Sequence, residues 1–151
     1  VGHYQTRSRG TACGSAAHAD PSAEIPLCLV ALGGEVRLRS ARKARKVKAA
    51  DFFTGMMATD KADDEMIEAL AFPVARPGSA YAFREFARRH GDFAIVACAV
   101  RVASDTIELA VGGVADRPER RSWPRLSGAA RDDGVAGLQR VFLYQAPKSP
   151  E

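Results

Sequence analysis

The sequence is poor in cysteine, and the spacing of the few it has excludes whole classes of chemistry. Cys13, Cys28 and Cys98 are the only three, so any disulfide scheme leaves one thiol over. None has a second cysteine two residues away, which argues against a zinc ribbon, a redox CxxC pair and an iron–sulfur cluster held by this chain. A reducing cytoplasm suits that usage best. Histidine is equally sparse: His3, His18 and His90 stand far apart, without metal-ligand spacing to carboxylates or thiols. Long apolar runs are missing too. The longest, Phe93 to Val100, is far too short to span a bilayer. The opening residues, Val1 to Arg7, have neither the charged start nor the apolar centre of a secretory signal. Ser15 does not sit in a G-x-S-x-G elbow, so a hydrolase triad has no support.

What is present is a chain of 151 residues, 46% hydrophobic, long enough for one domain with a real core. Its net charge is +4 and its cations are clumped. Six lie between Arg39 and Lys48, and Arg117, Arg120, Arg121 and Arg125 form a second cluster. Two readings stand: a surface for a polyanion or acidic partner, or a merely solvated basic hairpin. Nucleic acid would call for interleaved aromatics or a basic recognition helix. Only Trp123 accompanies the second cluster and no aromatic the first, which favours the solvated reading. The acidic run Asp60, Asp63, Asp64 and Glu65 lacks the central glycine and terminal glutamate of a calcium loop and reads as a solvated turn.

Along the chain, the first ten residues are polar and without a period. Asp20-Pro21 has the character of a helix cap followed by a first-turn proline, with the helix running to Leu32 and stopped by Gly33-Gly34. Glu35 to Arg39 alternates charged and apolar residues, as a half-buried strand does, and Lys46 to Lys48 is its expected return partner. Ala50 to Phe53 suits a short helical turn ended by Gly55. Asp63 to Phe72 is open: Met66, Ile67, Ala69 and Leu70 fit a helix, yet Pro73 ends either element. Tyr81 to Phe86, Phe93 to Val102 and Ile107 to Val111 read as three strands, in a second unit that starts near residue 76.

The segment from Thr11 to Glu24 is the most informative. Small residues let successive backbone N–H groups form an anion-binding nest, to which Thr11 and Ser15 add hydroxyls. A tight turn packed on a neighbouring strand would use the same residues.

Residues 9–26, RGTACGSAAHADPSAEIP, resemble the second FAD-binding loop of molybdenum hydroxylase flavoprotein subunits. That family includes the medium subunit of carbon monoxide dehydrogenase and the middle domain of xanthine dehydrogenase. Cys13 stands where the family usually has the first glycine of a pair. The likeness continues in FFTG at 52–55, DEMI at 64–67, FREFARRHGDFA at 83–94 and GGVADRP at 112–118.

The resemblance implies an α+β fold: part of a PCMH-type FAD-binding subdomain over residues 1–75, then a flavoprotein C-terminal-like sheet domain over 76–131. Residues 132–151 would be an atypical tail. Both ends are expected to be incomplete, since relatives begin with a further subdomain that carries a first Gly-rich loop. Residue by residue, the resemblance puts Thr11, Ala12, Cys13, Gly14 and Ser15 around the FAD pyrophosphate. Glu24 takes the place of an acid that bonds the cofactor's sugar-like portion, although an acid in a helix's first turn is favourable anyway. Asp20 is a ligand or only a cap. Lys61 falls where relatives carry an apolar residue against the flavin. Arg84 falls where some have a lysine near the ring, and is otherwise a plain surface cation. On this analogy Met66 and Ile67 belong to a strand. The implied function is electron transfer from iron–sulfur clusters through FAD to an acceptor, with a molybdopterin-binding large subunit and a [2Fe-2S] small subunit as partners. Neither nucleic acid nor membrane insertion is implied. The alternative is a non-catalytic, truncated assembly fragment that retains no FAD.

Overall fold

A computed structural model describes residues 2–89 and 91–125, so His90 and the segment read above as a tail, 132–151, lie outside the described residues. Three helices open the chain: α1 (Tyr4–Arg7), α2 (Ala12–His18) and α3 (Glu24–Ala31). A first sheet holds β1 (Glu35–Arg39), β2 (Ala44–Lys48) and, after α4 (Ala49–Phe52) and the small β3–β4 ribbon (Phe53–Gly55, Ala58–Thr59), β5 (Met66–Ala71). Its order is β2-β1-β5, antiparallel throughout. A second sheet is an antiparallel meander of β6 (Ala80–Phe86), β7 (Val96–Val102), β8 (Thr106–Gly112) and β9 (Glu119–Pro124).

Helix α3 joins the two layers because it is apolar nearly all round, the signature of a helix covered on every side. Leu29 and Val30 pack with Val36, Leu38 and Phe52 against the first sheet, while Leu27 and Ala31 pack with Ala97, Ala99 and Ala110 of the second. Pro26 is tolerated because the N–H groups of a helix's first turn have no partner within the helix. The helix begins later than expected. Ala23, not Asp20, is its N-cap. Asp20 instead turns the chain locally, accepting from the Ser22 N–H at 2.8 Å, as aspartate does in an Asx-turn. The expected stop is where the sequence puts it. Gly33 takes φ +67, and its N–H donates to Val30 O at 3.1 Å while Gly34 N–H donates to Leu29 O at 2.8 Å, the paired bonds of a Schellman ending.

Residues 66–71 are strand rather than helix. Pairing along β1 and burial of Ile67 between exposed Met66 and Glu68 outweigh the local helical pattern. β9 is a further strand that periodicity does not announce, because its residues are polar. It forms at the sheet edge, where backbone pairing to β8 needs no buried side chains and Pro124 is harmless at the end.

Most of the clustered charges stand exposed, as the solvated readings expect, but some are paired within the molecule and Glu65, read as part of a solvated turn, is buried. Arg45 forks onto Glu65 at 2.7 and 2.8 Å and reaches Asp60 at 2.6 Å. Arg39 pairs with Glu68 at 2.6 Å. Glu108 is held between Arg101 and Arg120, and Arg117 donates to Thr54 O at 3.1 Å. Among the described residues, no helix is long and apolar enough to cross a membrane.

Candidate functional site

The small-residue run is not a loop. Residues 12–18 form helix α2, and Thr11 is its N-cap, with extended φ −125 and ψ 154 and a side chain that accepts from the Gly14 N–H at 2.9 Å. No residue from Thr11 to His18 has positive φ, so the alternating backbone of a nest is absent here. For the same reason Cys13 meets no conformational obstacle in the place of a family glycine. Capping suits threonine, and the first-turn N–H groups of Ala12 and Cys13 stay outside the helix's own ladder. Gly14 has a steric role: a Cβ there would stand 3.0 Å from Thr11 Oγ1.

Beside this helix start lies a cleft of about 490 Å³. Thr11, Ala12, Gly14, Ser15, Asp20 and Glu24 all line it. Cys13 does not, and its side chain packs instead against the core under the first sheet. Lys61, on the β4–β5 connection, bonds the carbonyl of Ala62 at 2.9 Å, and Arg84, on β6, bonds the carbonyl of Phe83 at 3.3 Å. Neither lines the cleft. Sequence reasoning missed the opposite walls. His3, Thr6 and Arg7 come from α1 and its cap, while Gly91, Asp92 and Phe93 come from the β6–β7 connection. A four-residue helix is too short to show a period, and only the likeness at residues 83–94 pointed to that connection.

Three electrostatic features bear on the surroundings. Arg45, together with the Ala62 N–H at 2.9 Å, holds the buried Glu65 carboxyl down to about 2 from an ordinary 4.5. That bond fixes both ends of the connection on which Lys61 stands. At the head of α3, burial and then the Glu24 carboxylate push the Cys28 thiol above its usual value, so it is not an activated nucleophile. Burial would raise Glu108, but the bond from Arg101 and the charge of Arg120 bring it below the usual carboxylate range. Among the described residues, no group of three or more histidines, cysteines or carboxylates is placed to hold a metal ion.

The segments singled out by resemblance touch one another. The Gly113 N–H donates to Pro21 O at 2.9 Å. A Cβ at Gly112 would stand 3.0 Å from the same oxygen, and one at Gly113, φ +84, would stand 2.5 Å from Ile95 O. Asp116 and Arg117 reach Gly55 and Thr54.

Comparison with known proteins gives the family and the fold. The glyceraldehyde dehydrogenase medium chain of Sulfolobus acidocaldarius is 38% identical over 125 residues, 80% of this chain and 44% of that one. Quinoline 2-oxidoreductase from Pseudomonas putida 86 superposes with a TM-score of 0.74 at 34% identity, covering 80% of this chain and 43% of its own. Carbon monoxide dehydrogenase from Hydrogenophaga pseudoflava gives 0.74 at 30%, with 80% and 44% covered. The chain thus spans less than half the length of these relatives. Residues 1–75, which include α2, α3 and most of the cleft lining, match the family described as the FAD binding domain in molybdopterin dehydrogenase, and the chain belongs to the FAD-binding medium-subunit family of molybdenum hydroxylases.

Proposed function

We propose that this chain holds FAD in the cleft beside α2 and serves as the electron-transferring flavoprotein part of a molybdenum hydroxylase. The observation that carries the reading is the convergence of Thr11, Ala12, Gly14, Ser15, Asp20 and Glu24 on one cleft, within the stretch that matches the FAD-binding family.

The donor set suits a flavin dinucleotide. The hydroxyls of Thr11 and Ser15, with the first-turn N–H groups, are donors for a pyrophosphate, and Gly14 keeps bulk away from them. Carboxylates cannot bind phosphate, but they accept from sugar hydroxyls, which is the role proposed for Glu24 and Asp20. Cys13 contributes through its backbone rather than its thiol. Arg84 is proposed nearer the flavin ring, where a cation favours a reduced, anionic flavin, and Lys61 stands where relatives carry an apolar residue against the flavin. FAD, when bound, supplies the one- and two-electron chemistry, and the chain's residues bind it and orient it.

Residues 1–75 are taken as the cofactor-holding unit and 76–131 as a second unit. The proposed partners are a molybdopterin-binding large subunit and a [2Fe-2S] small subunit, from which electrons pass through FAD to an acceptor. We further propose a cytoplasmic setting, with which the free thiols of Cys13, Cys28 and Cys98 are consistent. Titration of FAD into the purified chain, followed by flavin fluorescence and absorbance, tests the reading. Saturable binding competed by ADP is expected. A chain that shows none is an assembly element without cofactor, and the reading falls.

A further inference from the structure

We propose that β6 pairs with β6 of a second copy of this chain, antiparallel across a two-fold axis at Phe83, so that the two second sheets join into one.

A sheet edge is a row of unpaired N–H and C=O groups, which proteins usually blunt with charge, proline, a bulge or a cover. β2, an edge of the first sheet, carries Arg45, Lys46 and Lys48. β9, the other edge of the second sheet, carries Glu119, Arg120 and Arg121 and ends on Pro124. β6 is not blunted in these ways. Its register to β7 runs unbroken from Ala80↔Val102 to Phe86↔Val96, so no bulge turns the edge away. It holds one cation and one anion, Arg84 and Glu85, and no proline. Helix α3 lies over β7, β8 and β9, while all seven residues of β6 are exposed, Tyr81, Phe83 and Phe86 among them. Beside the strand, an apolar groove of about 450 Å³ runs between Cys28, Leu32 and Pro73 and the Tyr81 and Phe83 side chains, which gives a neighbour's rings surface to cover.

The occupant follows from the order of residues on β6. Opposed residues of an antiparallel pair share a face, so a strand meeting a copy of itself has its two-fold axis at one residue. An axis at Arg84 or Glu85 would set like charges directly against each other, which is destabilising. One at Ala82 would leave Glu85 and Phe86 beyond the neighbouring strand. One at Phe83 uses the whole strand. Phe83 then meets Phe83, Tyr81 meets Glu85, Ala82 meets Arg84 and Ala80 meets Phe86. Large side chains lie beside small ones, and no like charges are opposed. Phe83, Tyr81 and Glu85 stand opposite Ala99, Arg101 and Ala97 of β7 and so share the side of α3. There the two central rings form an aromatic cross-strand pair, and the Tyr81 hydroxyl is matched with a carboxylate that accepts from it.

Sedimentation equilibrium of the full chain, from micromolar to sub-millimolar concentration, should show a monomer–dimer equilibrium. Phe83→Lys and Phe83→Glu each oppose like charges at the axis, and each alone should raise the dimer dissociation constant at least about tenfold. Mixed in equal amounts, the two variants should associate at least as tightly as wild type, because lysine then faces glutamate. Far-UV circular dichroism and thermal melts check folding, and Phe83 lies outside both core clusters. Ala82→Arg, which sets a second cation against Arg84, should weaken association from another exposed position. Arg121→Glu, on the opposite edge of the sheet, should leave it unchanged. A wild-type chain that stays monomeric throughout overturns the proposal and leaves β6 to a different partner. A dimer indifferent to the charges at positions 82 and 83 lies on another surface, and a mixture that fails to associate puts the axis elsewhere. Either result overturns the pairing at Phe83.

Discussion

Two glycines, one in the cleft wall and one in the core, should separate cofactor binding from stability. At Gly14 a Cβ would meet only Thr11 Oγ1, at 3.0 Å, the tip of an exposed side chain that can rotate away. Gly14→Ala therefore costs the Thr11 cap, about 1 kcal/mol. It recovers about the same amount, since alanine is the better helix former by about 1 kcal/mol. The net change in stability is near zero. Binding is different, because the displaced hydroxyl is a proposed phosphate donor. A lost hydrogen bond to a charged group is worth about 1.5–3 kcal/mol, so FAD affinity should fall at least about tenfold. At Gly34 the positions reverse. A Cβ would stand 2.5 Å from Leu29 Cδ1 and 2.8 Å from Ala71 O. Leu29 is fully buried, and the carbonyl is backbone of β5 paired to β1, so neither yields cheaply. Overpacking of this kind costs roughly 2 kcal/mol, or roughly 4–8 °C in Tm for a chain of this size. Thermal melts by circular dichroism and FAD titrations on both variants supply the four numbers. A Gly14→Ala variant that binds FAD like wild type, or a Gly34→Ala variant that melts like wild type, refutes the corresponding half.

Thr11→Ala should lose about 1 kcal/mol of stability through the missing cap, and Thr11→Ser should restore it, as read from urea midpoints. Glu65 has a folded pKa of about 2 against an ordinary 4.5. Its contribution is therefore present above the unfolded value and lost as pH falls toward 2. Acid titration of Tm should show this slope, and Glu65→Gln should flatten it. Leu29→Ala, at a fully buried position between α3 and the first sheet, should cost about 2–5 kcal/mol in chemical denaturation. A loss below about 1 kcal/mol would mean that α3 is not the shared core element.

Local pattern was informative where one face of an element is buried and the other is not. Val36 and Leu38 alternate with Arg37 and Arg39, and β1 follows. Gly33-Gly34 stops α3 because a left-handed residue is needed there. Pattern failed where burial is not periodic. α2 is built of alanine, glycine, serine and cysteine before its final His18, with only Ala16 buried, so it offers no stripe, and its capping threonine reads equally as part of a turn. β9 carries charged residues because an edge strand has little to bury. The Glu65 carboxylate reads as solvated until Arg45, twenty residues away, is brought to it. Half of the cleft was legible for the opposite reason: Thr11 to Glu24 is contiguous, so its residues stay together however the chain folds. The wall from Gly91 to Phe93 is distant in sequence and arrives only through the docking of a hairpin.

That docking gives the scattered motifs one physical meaning. Asp20 and Glu24 line the cleft from a turn and a helix start, and the residue after Asp20 is where the second sheet is attached. Pro21 offers its carbonyl to Gly113, and the approach is so close that a Cβ on Gly112 would press into the same oxygen. Gly113 in turn runs against the Ile95 carbonyl, two residues beyond Phe93. The pair of glycines is thus clamped between the turn that carries Asp20 and the strand entrance that carries Phe93, and it sets the separation of the two walls. At the other end of the same loop, Arg117 holds the Thr54 carbonyl, tying the FFTG segment to the second sheet. Residues that look like independent signatures when strung along the chain are contact partners in the fold. A side chain at position 112 or 113 would press on the Pro21 or Ile95 carbonyl and so push apart the two segments that carry the cleft walls, although neither glycine lines the cleft itself.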